Sequence, residues 1–452
     1  MFENMIGQPV TARLQSDILN NVLAPSMLFE GPAASGKGTA ALEIGRAFSC
    51  ETEGAPWNCR CHACARHRSL SHEDLIVTGP RPFSQEISAA CAALLRDTQA
   101  HSSRTLFMRA VRKLQLRFSP VLLADDPKIT KFNSLLETIS ETMEELNFLY
   151  GSGGDDSDKR DKIAKLCDTA LKQTQKLEAE GIADTIPVSH IRNAAYWLRI
   201  APSGRRKLLL IENADRMQDA ARNSLLKILE EPPETSAIIL CTSKPKALLP
   251  TILSRLRHYS FAKRGAEADA EVVRRVFKDA NDSIPLHGRG ESGVTAYLDK
   301  FSPVPKNVLY PAAALFLSST ALAVSVRLRK KGVPAENLPP AITAIGKHCA
   351  PEAEAAGLGK ACRGAKALCA AVLAAAGNFD KRGAFSVFLG LLCARLSEAL
   401  LPLEADTVCA AYRKILSKSA EEARLAVDVF NQSPPLALER LFDSLTHEMA
   451  IV

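Results

Sequence analysis

One short segment constrains the fold more than any other: a glycine-rich turn ending in lysine, residues 31–37 (GPAASGK). The apolar residues 27–30 (MLFE) before it predict a short strand, and residues 37–48 after it predict a helix. Between a strand and a helix, such a turn cradles phosphate oxygens with its backbone N–H groups and the positive end of the helix. We therefore expect a phosphate-binding loop (P-loop) in which Lys37 reaches the β- and γ-phosphates of a nucleotide.

The magnesium ligand of such a loop is missing from its usual position. Gly38 replaces the Ser or Thr that normally follows the lysine, and Thr39 stands one residue later. Two interpretations stay open: a loop that still binds nucleotide, or a vestigial loop that keeps only the fold. The order Gly-Lys-Gly-Thr also resembles the loop of adenylate-type kinases, so Gly38 does not by itself abolish ATP binding.

Residues 186–261 predict a second α/β block. Residues 207–211 (KLLLI) and 237–240 (AIIL) are unbroken apolar strands, and residues 218–229 between them predict a helix. Unbroken apolar strands are typical of a parallel sheet that is covered on both faces.

The end of the 207–211 strand predicts weak or absent ATP hydrolysis. Active P-loop ATPases place two acidic residues here, one for Mg²⁺ and one to polarise water. Here Glu212 has the reach to serve the metal, but Asn213 cannot accept a proton as a carboxylate does. Asp215 is interpreted as a helix cap.

Four cysteines follow the first helix with the spacing C-x8-C-x-C-x2-C: Cys50, Cys59, Cys61 and Cys64. Four thiolates close a tetrahedral Zn²⁺ site that leaves no open position for chemistry. The tight C-x-C step leaves His62 as an alternative ligand. Twelve Cys in 452 residues are too few for a disulfide scaffold, so we expect structural zinc in a reducing compartment.

The rest of the chain predicts helices. Residues 81–185 carry apolar side chains at helical spacing and predict a helical insertion with a flexible turn at 151–156, and residues 305–452 predict an Ala-rich helical domain. Residues 308–326 lack charge, but their Ala, Ser and Thr content favours a buried bundle helix over a membrane span. The N-terminus has no secretory pattern, so we expect a cytoplasmic protein.

Basic side chains line one predicted helix of the insertion. We interpret them first as a solvated face, with DNA contact as the sharper alternative, since the net charge of +7 permits a nucleic-acid partner. These side chains are Arg104, Arg109, Arg112, Lys113 and Arg117.

Several stretches together carry a family resemblance. They are residues 2–8 (FENMIGQ), 31–39, the cysteine cluster, 72–75 (HEDL), 186–192 (IPVSHIR), 223–233 (NSLLKILEEPP), 242–243 (TS) and 249–255 (LPTILSR). With them the sequence resembles the bacterial clamp-loader family, the AAA+ subunits of the DNA polymerase III holoenzyme. The resemblance is good over residues 1–80 and 186–262 and weak in the tail, at Asn431 and 436–441 (LALERL). It offers no counterpart for residues 81–185.

The resemblance implies an AAA+ domain in two halves (1–80 with the zinc module at 50–64, and 186–262) around the insertion (81–185). A small helical lid (263–304) and an all-α oligomerising collar (305–452) follow. It implies Arg255 as an arginine finger that acts in a neighbouring subunit, although Leu256 departs from the family's Cys. The implied nucleotide-binding residues are Gly31, Ser35, Gly36, Lys37, Gly38, Thr39, Glu212 and Thr242, or Ser243 in place of Thr242.

In this family, a subunit that keeps its arginine finger but has lost the Mg²⁺ ligand and the catalytic Glu of its own ATP site resembles delta-prime. The resemblance then implies a subunit that helps load the sliding clamp onto primed DNA, with gamma/tau and delta as partners, structural zinc, and ATP with Mg²⁺ as a further ligand. Two alternatives stay open: an ATP-hydrolysing gamma/tau-type subunit that uses Lys37 and Glu212, and a nucleoside monophosphate kinase.

Overall fold

The fold is taken from a computed structural model that describes residues 1–124, 129–151, 156–279, 292–302, 306–377, 382–403, 406–428 and 432–451. Most of the turn predicted at 151–156, and Asn431, lie outside these residues. The chain divides into two compact units, Met1–Phe301 and Ser302–Val452.

A five-stranded parallel sheet organises the first unit. Its strands lie in the order β2-β3-β4-β1-β5, so the chain crosses over between strands that are not neighbours. The strands are β1 Ser26–Glu30, β2 Leu75–Thr78, β3 Lys207–Ile211, β4 Ser236–Thr242 and β5 Arg257–Ser260. Both predicted apolar strands of the second block are confirmed, β4 being longer by one residue at its start and two at its end.

Helices surround this sheet. The predicted helix after the P-loop is confirmed as α2, and the helix predicted at 218–229 as α9, each within one residue of its expected ends. The helices of the first unit are α1 Val10–Leu19, α2 Lys37–Ser49, α3 His62–Arg68, α4 Ser84–Arg96, α5 His101–Gln115, α6 Ile129–Gly151, α7 Asp156–Gly181, α8 Val188–Leu198, α9 Asp219–Glu230, α10 Pro250–Leu253, α11 Ala266–Val276 and α12 Gly293–Asp299.

Both faces of the sheet are buried, as the unbroken apolar strands predict. Successive residues of β3 point to opposite faces, so Leu208 and Leu210 pack in one core while Leu209 and Ile211 pack in the other. Ile238 and Ile239 of β4 divide in the same way.

Residues 81–185 form α4, α5, a short 3₁₀ turn and the antiparallel pair α6–α7. Their helically spaced apolar side chains, such as Phe107, Leu114 and Ile139, are fully buried in the same core as Leu209 and Ile238 of the sheet. This segment is therefore packed into the core of the first unit and not attached at its surface.

The predicted lid lies within the first unit as far as it is described. Val273 of its first helix and Phe277, directly after that helix, pack with Tyr297 of its second helix and with Ala89 of α4. The unit ends at Phe301, whose ring lies 5.3 Å from that of Tyr297, a few residues before the boundary expected at 304.

The second unit is all helical, as predicted for the tail. One helix in the described part of the chain, at 308–330, is long and apolar enough to cross a membrane, and 67% of its apolar window is buried within the structure. Phe316 at its middle packs edge-on against Phe388 and Phe442, as expected of a bundle core. The helices are α13 Lys306–Lys330, α14 Pro340–Ala355, α15 Ala365–Ala376, α16 Arg382–Ala399, α17 Thr407–Asp428 and α18 Pro434–Glu448.

Candidate functional site

The predicted P-loop joins β1 to the first residue of α2. Gly31 has φ +143°, and a Cβ there would overlap the carbonyl oxygen of Phe261. Lys37 Nζ donates to the loop's own carbonyl at Gly31 (2.7 Å) and lies 3.3 Å from Ser35 Oγ. Burial lowers the pKa of Lys37. The loop thus lies between a strand and a helix as predicted, with its lysine held against the loop's own carbonyl groups.

Gly38 lies directly beside the carboxylate of Glu212. A Cβ at Gly38 would lie 2.7 Å from Glu212 Oε1, closer than real Cβ contacts come. The space that a magnesium-binding Ser or Thr side chain would need at position 38 is therefore occupied by Glu212.

Glu212 is held between two arginines. Arg81 Nη1 lies 3.5 Å from one carboxylate oxygen, and Arg117 Nη2 forms an ion pair with the other. Burial by itself would raise the pKa of Glu212, but Arg81, Arg117 and Lys113 together bring it below its ordinary value. The carboxylate stays ionised, but its charge is neutralised and its oxygens are already engaged by protein cations. It is therefore a poor ligand for Mg²⁺.

The two further residues after β3 that the sequence singled out, Asn213 and Asp215, also form hydrogen bonds within the protein. Asn213 Nδ2 donates to the carbonyl of Pro80 at 2.6 Å. Asp215 accepts a hydrogen bond from Thr242 Oγ1 at 2.6 Å and lies in a 3₁₀ turn, ahead of α9. The Thr242 side chain is fully buried, whereas Ser243 lines the cleft next to the P-loop.

A cleft of about 630 Å³ opens above the P-loop within the first unit. Of the predicted nucleotide-binding residues, Ser35, Gly36, Lys37, Gly38, Thr39 and Glu212 line it, and Gly31 and Thr242 do not.

Three basic residues of the 81–185 segment, Arg109, Lys113 and Arg117, also line this cleft. The prediction of a solvated face is wrong for Arg117, whose side chain is 4% exposed, and Lys113 is 22% exposed and paired with Glu86. Burial lowers the pKa of Arg109, Lys113 and Arg117. Helical periodicity could not have placed Arg109 and Lys113 on the buried side, because they follow Phe107 and Val111 by two residues, which is about 200° around the helix.

Arg264 is a site residue that sequence reasoning missed. Its guanidinium donates to the carbonyls of Ile6 (2.9 Å), Ala34 (2.6 Å) and Ser35 (3.1 Å). Asp269 lies 3.7 Å from it. Arg264 thus ties the N-terminal segment, the P-loop and the start of the predicted lid together. No motif marks it, because its partners are backbone carbonyls distant in sequence.

The four predicted cysteines converge. The Sγ atoms of Cys50, Cys59, Cys61 and Cys64 all lie within 4.8 Å of one another, and His62 is not part of the group. Tetrahedral zinc with Zn–S bonds of about 2.3 Å separates its sulfurs by roughly 3.8 Å, so the cluster fits such an ion. These residues can hold a metal ion with four sulfur ligands.

Arg46 connects this cluster to the P-loop helix. Its side chain is 2% exposed and donates to Cys64 Sγ (3.0 Å), to both carboxylate oxygens of Glu43 (2.7 and 2.9 Å) and to the carbonyl of Ala55 (2.7 Å). Because Arg46 and Glu43 are on α2, the cluster is anchored to the helix that begins at Lys37.

Arg255 lies away from the cleft. It stands two residues before β5, whereas the P-loop follows β1, and the two strands are parallel neighbours. Arg255 therefore lies at the N-terminal ends of the parallel strands, and the P-loop lies at their C-terminal ends. Its guanidinium, one third exposed, contacts Glu230 (2.7 Å) and the carbonyl of Thr251 (2.7 Å).

A family model described as DNA polymerase III, delta subunit, matches residues 7–141 and 152–265, more than half of the chain. The match runs through most of residues 81–185, so the expectation that this segment has no counterpart in the family is wrong.

Curated relatives match shorter stretches. A DNA polymerase III subunit delta′ of Pseudomonas aeruginosa is 36% identical over 104 residues, 23% of this chain and 32% of that protein. A subunit gamma/tau of Mycobacterium bovis is 37% identical over 81 residues, 18% of this chain and 13% of that protein. A subunit delta′ of Escherichia coli is 46% identical over 78 residues, 17% of this chain and 23% of that protein. The chain spans about a third or less of the length of these relatives.

Proposed function

The chain belongs to the DNA polymerase III delta-subunit family, and on that premise we propose that it is a delta-prime-type subunit of the polymerase's clamp loader. In this role it helps load the sliding clamp onto primed DNA by completing the ATP site of a neighbouring subunit. Its direct partners are gamma/tau and delta, and it meets the clamp and the primed DNA through the complex, in the cytoplasm.

One observation carries the proposal: the chain's own site lacks the means to hold a catalytic Mg²⁺. Gly38 offers no hydroxyl, Glu212 is engaged by two arginines, and Asn213 stands where a general base is needed. Activation of water by a carboxylate and neutralisation of the γ-phosphate by Mg²⁺ are both missing. We therefore expect little ATP hydrolysis by this chain alone.

The position of Arg255 supports a role in a neighbour. It cannot reach the chain's own P-loop from the N-terminal ends of the strands, yet its guanidinium is exposed and held in place by Glu230. A planar, permanently charged group suits the charge that develops on a transferring phosphoryl group.

The cysteine cluster supports structural zinc in the same proposal. Four sulfur ligands close the coordination shell and leave no position for substrate, so the metal would fix residues 50–64 against α2. Metal analysis of the purified chain tests this: we expect one zinc per chain, lost on Cys59→Ser.

Reconstitution with gamma/tau and delta tests the main proposal. The isolated chain should hydrolyse ATP negligibly, and Arg255→Ala should lower ATP turnover of the assembled complex without preventing assembly. Arg257→Ala, an exposed arginine two residues away, is the matched control and should leave turnover unchanged. An Arg255→Ala complex with full activity would refute the finger assignment.

A gamma/tau-type ATPase is the second candidate, because gamma/tau relatives match this chain at an identity similar to that of delta′. Robust hydrolysis by the isolated chain, abolished by Lys37→Ala, would favour it. Nothing in the comparisons supports the nucleoside monophosphate kinase alternative.

A further inference from the structure

The cleft above the P-loop carries a large excess of positive charge. Eight Lys and Arg side chains line it, against three Glu side chains. Glu43 pairs with Arg46, and the other two glutamates are shared among Arg81, Lys113 and Arg117. The excess therefore remains after every carboxylate is paired.

Three of these cations lack an acidic partner. In the described parts of the chain, no carboxylate lies within 4 Å of Lys37, Arg68 or Arg109. Among the described residues, the guanidinium of Arg109 donates to the backbone carbonyl of Arg68. Arg68 and Arg109 therefore keep guanidinium donors for an anion in the cleft, whereas the ammonium group of Lys37 bonds Gly31, Pro32 and Ser35 and must leave these partners to reach one.

One cation of the 81–185 segment is buried and incompletely bonded. Arg117 has a 4% exposed side chain, and its Nη1 has no hydrogen-bond partner among the described residues. Burial lowers the pKa values of Arg109 and Arg117, each to about 10, so both stay charged at neutral pH. Buried cations gain more from an anion than exposed ones, because the surrounding dielectric is low.

Magnesium does not fit the same cleft. The two side chains that would hold it are Gly38, which has none, and Glu212, which is engaged by Arg81 and Arg117. Arg81 lies 3.5 Å from the same Glu212 oxygen that stands next to Gly38, so protein cations already reach the first turn of α2. The positive charge that Mg²⁺ supplies in related sites is therefore supplied here by the protein.

Part of the cleft lining is apolar. Leu106, Val272, Val276 and Leu298 line the cleft and pack together around Val273 and Tyr297 of the predicted lid. A cleft with both basic and apolar lining, and a volume of about 630 Å³, suits a nucleotide-sized ligand with a highly charged tail.

We propose that this cleft is a magnesium-independent binding site for a nucleoside polyphosphate, with Lys37 on one side of the phosphates and Arg109 and Lys113 on the other. The 81–185 segment thereby contributes the cations that replace the metal. The inference extends the proposed function to the chain's own cleft, and its failure would leave the role of Arg255 in a neighbour untouched.

Calorimetric titration of the full chain with ATP in excess EDTA tests the proposal. ATP should bind without metal, and added Mg²⁺ should not tighten it. Tripolyphosphate and adenosine separate the two ends of the ligand: tripolyphosphate should bind, and adenosine should bind at least about tenfold more weakly than ATP. Binding that requires Mg²⁺, or equal binding of adenosine and ATP, would overturn the proposal.

Variants on one helix provide the matched comparison. Arg109→Met and Lys113→Met should each weaken ATP binding by about tenfold or more, the usual range for a charged hydrogen bond. Arg112→Met, on the same helix, removes a side chain that is outside the cleft and bonds the carbonyl of Ser69, so it should change binding less than about twofold. If all three variants bound ATP with equal affinity, Arg109 and Lys113 would not be part of the binding site.

Glu212→Gln distinguishes a metal ligand from a neutralised carboxylate. If cations hold the phosphates directly, removing this negative charge frees Arg81 and Arg117 and tightens binding in EDTA. If Glu212 holds Mg²⁺, the same change weakens binding that depends on Mg²⁺. A loss of affinity in Glu212→Gln, with thermal unfolding unchanged, would overturn the proposal.

Discussion

Replacing Arg46 with methionine should destabilise the protein severely. Arg46 and Glu43 are 2% and 5% exposed, and the arginine also bonds Cys64 Sγ and the carbonyl of Ala55. Methionine keeps the unbranched stem of the side chain but leaves a buried carboxylate without its cation. Removing one partner of a buried ion pair costs about 3–5 kcal/mol, so we expect a loss of this size in the free energy of unfolding.

Urea unfolding followed by far-UV circular dichroism measures this loss at a fixed zinc concentration. The double variant Arg46→Met with Glu43→Gln should recover much of it, because the isolated charge is gone. Arg66→Met is the matched control: its ion pair with Glu73 is 34% and 42% exposed, so we expect about 1 kcal/mol or less. A loss below about 1 kcal/mol for Arg46→Met would refute the reasoning that this pair anchors the cysteine cluster.

Three further changes have defined outcomes. Gly38→Ala should cost about 1–3 kcal/mol in urea unfolding, since its Cβ would crowd the Glu212 carboxylate, and Glu212→Ala in the same chain should relieve it. Burial lowers the pKa of His67 from 6.5 to about 3, so His67 takes up a proton more readily in the unfolded chain than in the folded one. The free energy of unfolding should therefore fall as the pH drops from about 6.5 toward 3, by up to about 1.4 kcal/mol per pH unit. His67→Gln should make this pH dependence weaker. Gly346→Ala should raise the thermal midpoint, because Gly346 lies inside α14 with no atom within 4 Å of an added Cβ, and alanine is favoured there by about 0.5–1 kcal/mol; an unchanged midpoint would contradict this.

Local patterns in the sequence predicted the sheet, the P-loop and the cysteine cluster. Each depends on residues close together in the chain: an apolar run for β3, a turn at Gly31 that only glycine fits, and four cysteines within fifteen positions. Such features can be predicted from the sequence because the spacing of residues close together in the chain limits the geometry that they can adopt.

The second wall of the cleft was not predictable in the same way. The sequence shows that Arg109 and Lys113 are basic but predicts a solvated face for them, because periodicity gives a helix face and not what covers that face. Arg264 bonds carbonyls about 230 residues or more away in sequence, and Arg117 meets Glu212 across 95 residues. Such contacts follow from the packing of the 81–185 segment into the sheet's core, which no local signal encodes.

The helix α5 touches both the cysteine cluster and the cleft. Arg109 and Arg112 donate to the carbonyls of Arg68 and Ser69, at the end of the short helix that begins between two of the cysteines. If the cysteines hold a metal as proposed, its removal by a chelator should therefore disturb the part of the cleft that Arg109 lines. The proposed metal site and the proposed nucleotide site are thus connected through α3 and α5.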